Sequence, residues 1–139
     1  MNLLKLSAIA LSLMTAHVSA QTVQLDIQEI KHNQGKLYVQ IFKGEQNYKQ
    51  EKAYNATIVK AKEGKIIVTF NDLEVGDYAI RYFHDENDNG EMDTNFFGFP
   101  TEGYGFSNTG KIKYGPPSYK EMSFQVTELP VKTQSKVNY

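Results

Sequence analysis

The sequence predicts an all-β domain. It reads as a single antiparallel β-sandwich of six to seven short strands, with one long ordered loop at 85–118. Three observations predict this. Apolar residues alternate with polar ones at period two along most of the chain. Turn signals recur near every ten residues, and no segment carries a convincing helical period. Residues 85–118 form a 34-residue stretch rich in acids, aromatics and glycine.

The strands follow in order. Val23, Leu25 and Ile27 alternate with Gln24, Asp26 and Gln28, the pattern of a half-buried strand. Asn33-Gln34-Gly35 is a turn, after which Leu37, Val39 and Ile41 resume the alternation. Tyr38 and Phe42 on the other face of that strand suggest that both faces are covered. Residues 44–54 are polar and aperiodic, a loop with room for one helical turn. Thr57-Ile58-Val59 and Ile66-Ile67-Val68-Thr69-Phe70, joined at Glu63-Gly64, read as a hairpin. Val75-Gly76 turns the chain into Tyr78, Ile80 and Tyr82. A further strand is expected from near Tyr119, with Met122, Phe124 and Val126 on one face. Leu129-Pro130-Val131 opens a last edge strand, where proline is tolerated. Such a strand list fits an Ig-like or prealbumin-like sandwich.

The first 20 residues read as a leader. Met1–Lys5 carries one positive charge, Leu6–Met14 is a nine-residue apolar run, and Val18-Ser19-Ala20 supplies small residues for cleavage after Ala20. The apolar run is far short of the ~20 residues that cross a bilayer, so no transmembrane segment is expected after cleavage. The domain is then 21–139, 119 residues with a net charge of −2, large enough to bury a core. That charge argues against nucleic acid as a partner. The absence of cysteine excludes disulfides, thiolate chemistry and Cys-type zinc sites. Export without disulfides leaves stability to packing and to an external ion. The leader implies a periplasmic or secreted location.

The chemistry concentrates in Asp85-Glu86-Asn87-Asp88-Asn89-Gly90-Glu91-Met92-Asp93. Oxygen side chains fall at positions 1, 3, 5 and 9 with glycine at 6, which is D-x-[DN]-x-[DN]-G, the first three quarters of an EF-hand-type calcium loop. Calcium takes six to eight hard oxygens, and a chain curling round the ion presents alternate side chains inward. Asp85, Asn87 and Asn89 would donate side-chain oxygens, Glu91 its carbonyl, and Asp93 an oxygen directly or through water. The match then breaks, because position 12 is Phe96 rather than a bidentate glutamate. Glu102 is the candidate closing carboxylate, as the only acid of the stretch beyond Asp93. Six acids without one Lys or Arg between Tyr82 and Gly110 repel one another and favour a cation. The alternative is an Asn/Asp/Gly turn satisfied by its own backbone. His84 reads as a strand-end histidine bonded to a carboxylate. A zinc site would need more nitrogen ligands, and only His32 remains beyond the leader. Asp93 and Glu102 could instead be a hydrolytic acid pair. Asn55-Ala56-Thr57 is a glycan acceptor only in a host that glycosylates such sites.

Phe96 to Asn108 mixes aromatics with glycine. Most of these rings are expected to plug the end of the sandwich. Tyr104, Phe106, Ser107 and Asn108 are candidate ligand-binding residues, and Gly115-Pro116-Pro117 directs the return into the last strands.

Several segments then carry a resemblance. They are Leu73-Glu74-Val75-Gly76-Asp77-Tyr78-Ala79-Ile80, His84 to Gly90, Asp93-Thr94-Asn95, Gly98-Phe99-Pro100, Glu102 to Asn108 and Gly115-Pro116-Pro117-Ser118. In order and spacing they resemble a family of small exported bacterial proteins, domain of unknown function 2141. The likeness runs from about Val23 to Asn138 and implies export and a β-sandwich, with no reaction. The L-x-x-G-x-Y segment is similar to that of prealbumin-like and carboxypeptidase-regulatory-like modules, which are usually non-catalytic accessories. The acidic loop is similar to calcium loops of cell-surface B-type repeat domains. Asp88 departs from the family, in a slot that is often small, and leaves the ligand set intact.

The resulting expectation is an exported, calcium-stabilised β-sandwich, a non-catalytic binding or accessory module of the cell envelope, with an envelope glycan or peptide as its partner. A carboxylate-dependent hydrolase acting on envelope polysaccharide and a purely structural envelope protein are the alternatives.

Overall fold

The computed structural model describes residues 21–139, so the leader expected at 1–20 lies outside the described residues. The strands are β1 (Gln21–Ile30), β2 (Lys36–Lys43), β3 (Asn55–Lys60), β4 (Gly64–Leu73), β5 (Gly76–Asp85), β6 (Gly103–Phe106), β7 (Phe124–Val126) and β8 (Val131–Lys136). Two one-turn helices, α1 (Glu45–Lys49) and α2 (Tyr119–Met122), complete the elements among the described residues. One sheet has the order β4-β1-β8 and the other β3-β2-β5-β6, with β7 also on β5. The all-β sandwich is therefore as the alternation predicts.

The alternation works because one face of each strand meets the other sheet. Val23, Leu25 and Ile27 from β1, Leu37, Val39 and Ile41 from β2, Val68 and Phe70 from β4, and Tyr78, Ile80 and Tyr82 from β5 form one buried core. Each such side chain contributes about 1.5–3 kcal/mol by leaving water. Among the described residues no helix is long and apolar enough to cross a membrane.

Four local expectations are corrected. Residues 57–59 and 66–70 do not form a hairpin: β3 pairs with β2 and β4 with β1. Between them the chain crosses from one sheet to the other, with Ala61 buried and its N–H donating to the Gly35 carbonyl at 3.1 Å. Period two cannot say which neighbour a strand takes. The last strand, β8, runs parallel to β1 at the sheet edge, whereas the other strand-to-strand ladders among the described residues are antiparallel. The segment beginning at Tyr119 is a helix, capped by Ser118, whose hydroxyl and N–H both donate to the Glu121 carboxylate at 2.6 and 2.7 Å. Finally, the 85–118 stretch contains β6, paired with β5. Gly103 and Gly105 face inward there because a Cβ on Gly105 would stand 2.3 Å from Tyr82 Oη, which hydrogen-bonds Ser135 Oγ at 2.8 Å.

The β1 strand carries a bulge at Glu29 (φ 61°), which returns Ile30 to the core side. Glu29 ion-pairs with Lys111 at 2.9 Å and Lys136 at 2.8 Å. The Lys111 ammonium first, and Lys136 with it, lower its carboxyl from the ordinary 4.5 to about 2. A folded value below the unfolded one stabilises fully above about pH 4.5, and the effect is lost as pH falls through about 2. Melting curves of wild type and Glu29→Gln are therefore expected to differ most at pH 7 and to draw together below about pH 4.5, with most of the gap gone by pH 2. A gap as wide at pH 2 as at pH 7 sinks this account.

Candidate functional site

The acidic loop begins where β5 ends. Asp85 is its first residue and is fully buried. One Asp85 oxygen accepts the Asn89 N–H at 3.1 Å and the other the Gly90 N–H at 2.9 Å. Asn87 Oδ1 accepts the Asn89 N–H at 3.1 Å, and Asn89 Oδ1 accepts the Glu91 N–H at 2.9 Å. These bonds wind positions 1 to 7 into one tight curl. Gly90 (φ 79°) makes the sharp turn that a side chain would strain.

Asp93 and Glu102 close the curl. Asp93 Oδ2 accepts from Asn87 Nδ2 at 2.5 Å and Oδ1 from Asn89 Nδ2 at 2.9 Å. Glu102 is buried, and its two oxygens accept the Glu86 N–H at 2.8 Å and the Asp93 N–H at 3.1 Å. The carboxylate next after Asp93 in sequence thus staples both ends of the loop, 16 and 9 residues away along the chain. Lys36 pairs with Asp88 at 3.1 Å, which holds the lysine above its ordinary value. Among the described residues Asp85, Asp93 and Glu102 form no ion pair; backbone and amide N–H groups bond them, and the Lys36 ammonium also attracts Asp85 through space.

His84 is corrected. It is fully buried, and its partners are not carboxylates but the Gln34 carbonyl, 2.6 Å from Nε2, and Tyr139 Oη, 2.7 Å from Nδ1. The carboxylate partner belongs to His32 instead, whose Nε2 lies 2.5 Å from Glu86 Oε1.

The aromatics do not plug the sandwich as expected. Phe96 is 97% exposed, Phe97 79% and Tyr114 96%, and Phe99 is also exposed. Asn95 Oδ1 accepts the N–H groups of Phe97 and Phe99, so the tip is a tight turn with its rings outside. Only Phe106 is buried, against Ala79 and Met122.

The four candidate ligand residues divide. Ser107 is buried, donating to the Met122 carbonyl at 2.6 Å and accepting the Ile80 N–H at 2.9 Å, so its hydroxyl ties β5 to the end of α2. Asn108 is exposed, and it donates to the Ser123 carbonyl at 2.8 Å and accepts from Thr133 Oγ1 at 2.7 Å. Tyr104 and Phe106 instead line a groove of about 670 Å³ on the outer face of the five-stranded sheet. Its floor includes Tyr38 stacked on Phe83 at 5.0 Å, with Gln40 and Arg81 beside them. Met92, Phe99, Pro100 and Pro116 wall it from the long loop. Arg81 Nε donates to Gln40 Oε1 at 3.0 Å, and its guanidinium stands 4.9 Å from the centre of the Phe42 ring. Sequence reasoning missed Gln40, Arg81 and Phe83. The signal that finds them is the second face of β2 and β5, read together.

These features define a class: an all-β sandwich whose central strand runs into a D-x-N-x-N-G loop stapled by a distant glutamate, beside an aromatic groove. Within that class, the chain belongs to the family described as "Uncharacterized protein conserved in bacteria (DUF2141)", matched over residues 25–134. The match bears out the resemblance carried by the loop motifs. No curated protein and no solved structure matches the chain.

Proposed function

We propose that this is an exported, calcium-ordered β-sandwich that serves as a non-catalytic binding module of the cell envelope. The observation that carries the calcium reading is the curl of 85–93, in which Asp85, Asn87 and Asn89 accept N–H groups in a repeating pattern while Asp93 and the buried Glu102 close it. A side-chain oxygen bonded to one N–H keeps a second lone pair for an ion. Asp85, Asn87, Asn89, Asp93 and Glu102 with the Glu91 carbonyl make six oxygens, the lower end of what calcium takes. The ion would relieve the repulsion among three carboxylates and displace the two amide bonds to Asp93. The leader expected from the sequence of residues 1–20 supports export. The groove supports binding, because stacked aromatic faces beside an arginine and a glutamine suit a sugar ring or a peptide side chain.

Calcium at a hundredfold excess over Kd stabilises by about 2.7 kcal/mol. For a domain of this size that is roughly a 10 °C rise in melting temperature over EDTA. Asp85→Ala is expected to abolish the rise. Superimposed melting curves of the wild type in calcium and in EDTA would refute the metal reading.

A further inference from the structure

A second cluster lies at the same end of the sandwich, outside the acidic curl. His32 comes from the connection between β1 and β2, His84 from the inward face of β5, and Glu86 from the residue after Asp85. Their rings and carboxylate are gathered by the fold: the two imidazole centres are 4.9 Å apart, and one ligand atom from each of the three groups lies within 4.8 Å of the others. Asp85 turns into the curl, whereas Glu86 turns the other way, to His32.

The hydrogen bonds assign the protons. The Gln34 carbonyl only accepts, so His84 Nε2 carries an N–H, and in the neutral ring Nδ1 then carries the lone pair. Tyr139 Oη donates to that lone pair and itself accepts the Lys31 N–H at 3.1 Å. An ionised Glu86 likewise only accepts, so His32 Nε2 donates to it. His32 Nδ1 is left buried with no hydrogen-bond partner. A buried nitrogen without a partner costs stability and needs a reason to persist.

We propose that His32, His84 and Glu86 form a binding site for a borderline divalent transition metal, zinc above all. Two imidazoles and a carboxylate are the three-ligand set that zinc accepts while keeping one position open. Imidazole donors also discriminate against calcium, which takes oxygen. His84 is already built as a metal ligand is: its far nitrogen donates to a backbone carbonyl, which orients the ring and raises the basicity of the other nitrogen. The ion would take the Nδ1 lone pair that the Tyr139 hydroxyl now holds at 2.7 Å, so the Tyr139 side chain, keeping its proton, must move aside to admit it. Ligand atoms round a tetrahedral zinc stand about 3.3 Å apart, so atoms now within 4.8 Å of one another must close by up to about 1.5 Å. His32 and Glu86 are part-exposed, with 34% and 26% of their side-chain surface open, and can turn inward to do so.

The test uses cobalt(II) chloride as a spectroscopic probe on the purified chain, with calcium in excess so that the acidic curl is not available to it. A four-coordinate site with nitrogen ligands gives intense visible d–d bands, and an all-oxygen six-coordinate site gives only weak ones. Wild type is expected to show intense bands at one equivalent, bleached by one equivalent of zinc chloride. His32→Gln and Glu86→Gln are expected to lose the bands or weaken cobalt binding at least tenfold. The metal-free melting temperature of His32→Gln, a part-exposed site, is expected to stay close to wild type and to report that the chain still folds. His84 is fully buried and is left intact. Weak bands alone in the wild type, or equal bands in the wild type and both variants, overturn the proposal. Neither result bears on the calcium response, which is read without cobalt.

Discussion

Gly35→Ala is expected to destabilise the domain by about 4 kcal/mol, adding the cost of left-handed backbone for a residue with a Cβ to that of overpacking. Gly35 sits at φ 73° in the connection between β1 and β2, and a Cβ there would stand 1.8 Å from the Asp85 carbonyl oxygen. The obstruction is backbone, so it cannot swing aside as a side chain would. The clash falls where β5 hands over to the acidic loop, so loop and core should be affected together. Urea unfolding measures the loss. Gly110→Ala is the control, because nothing lies within 4 Å of its Cβ position, and a change within about 0.5 kcal/mol is expected there. Equal midpoints for the two variants would contradict this account.

Glu102→Ala is expected to cost about 3 kcal/mol in EDTA and to remove the calcium response that the proposed function predicts. The truncation deletes both acceptors of the Glu86 and Asp93 N–H groups. Each donor left unsatisfied near the interior costs about 1–3 kcal/mol. Glu102→Gln keeps one acceptor oxygen and should lose about half as much. Amide exchange separates this local effect from general destabilisation. The Glu86 and Asp93 amides should exchange faster in both variants while core amides of β1 and β2 keep their relative order. Unchanged protection at those two amides would show that the staple is not needed.

Most strands were legible because they have one buried face. Val23, Leu25 and Ile27 alternate for that reason, as do Leu37, Val39 and Ile41. The short helix at Tyr119–Met122 was missed for want of length: four residues carry no period, and only the S-x-x-E cap at Ser118 and Glu121 marks it. β6 was missed because Gly103 and Gly105 lower strand propensity, although they are required by Val137, Tyr139 and Tyr82 packed over them. The loop was legible in a different way. Spacing alone placed Asp85, Asn87, Asn89 and Asp93 on one curl, and elimination pointed to Glu102, which is the residue that ties the loop shut.

Partners far apart in the chain were not legible. His32 and His84, 52 residues apart, meet only because the β1–β2 connection folds over the end of β5. The groove needs Tyr38, Phe83 and Tyr104 from three strands, and their juxtaposition depends on strand order. The exposed tip at Phe96 and Phe97 reversed the expectation of a plug, because Asn95 satisfies the turn locally and leaves the rings no core to enter.

Local patterning by itself determined the fold class, the family and the curl of the acidic loop, because period-two burial and an alternating oxygen spacing are properties of a few consecutive residues. Tertiary structure alone decided strand pairing, the parallel β1–β8 edge, the aromatic groove and the histidine pair. Those depend on which sheet each strand joins, and a strand with one apolar face satisfies the same burial requirement in either.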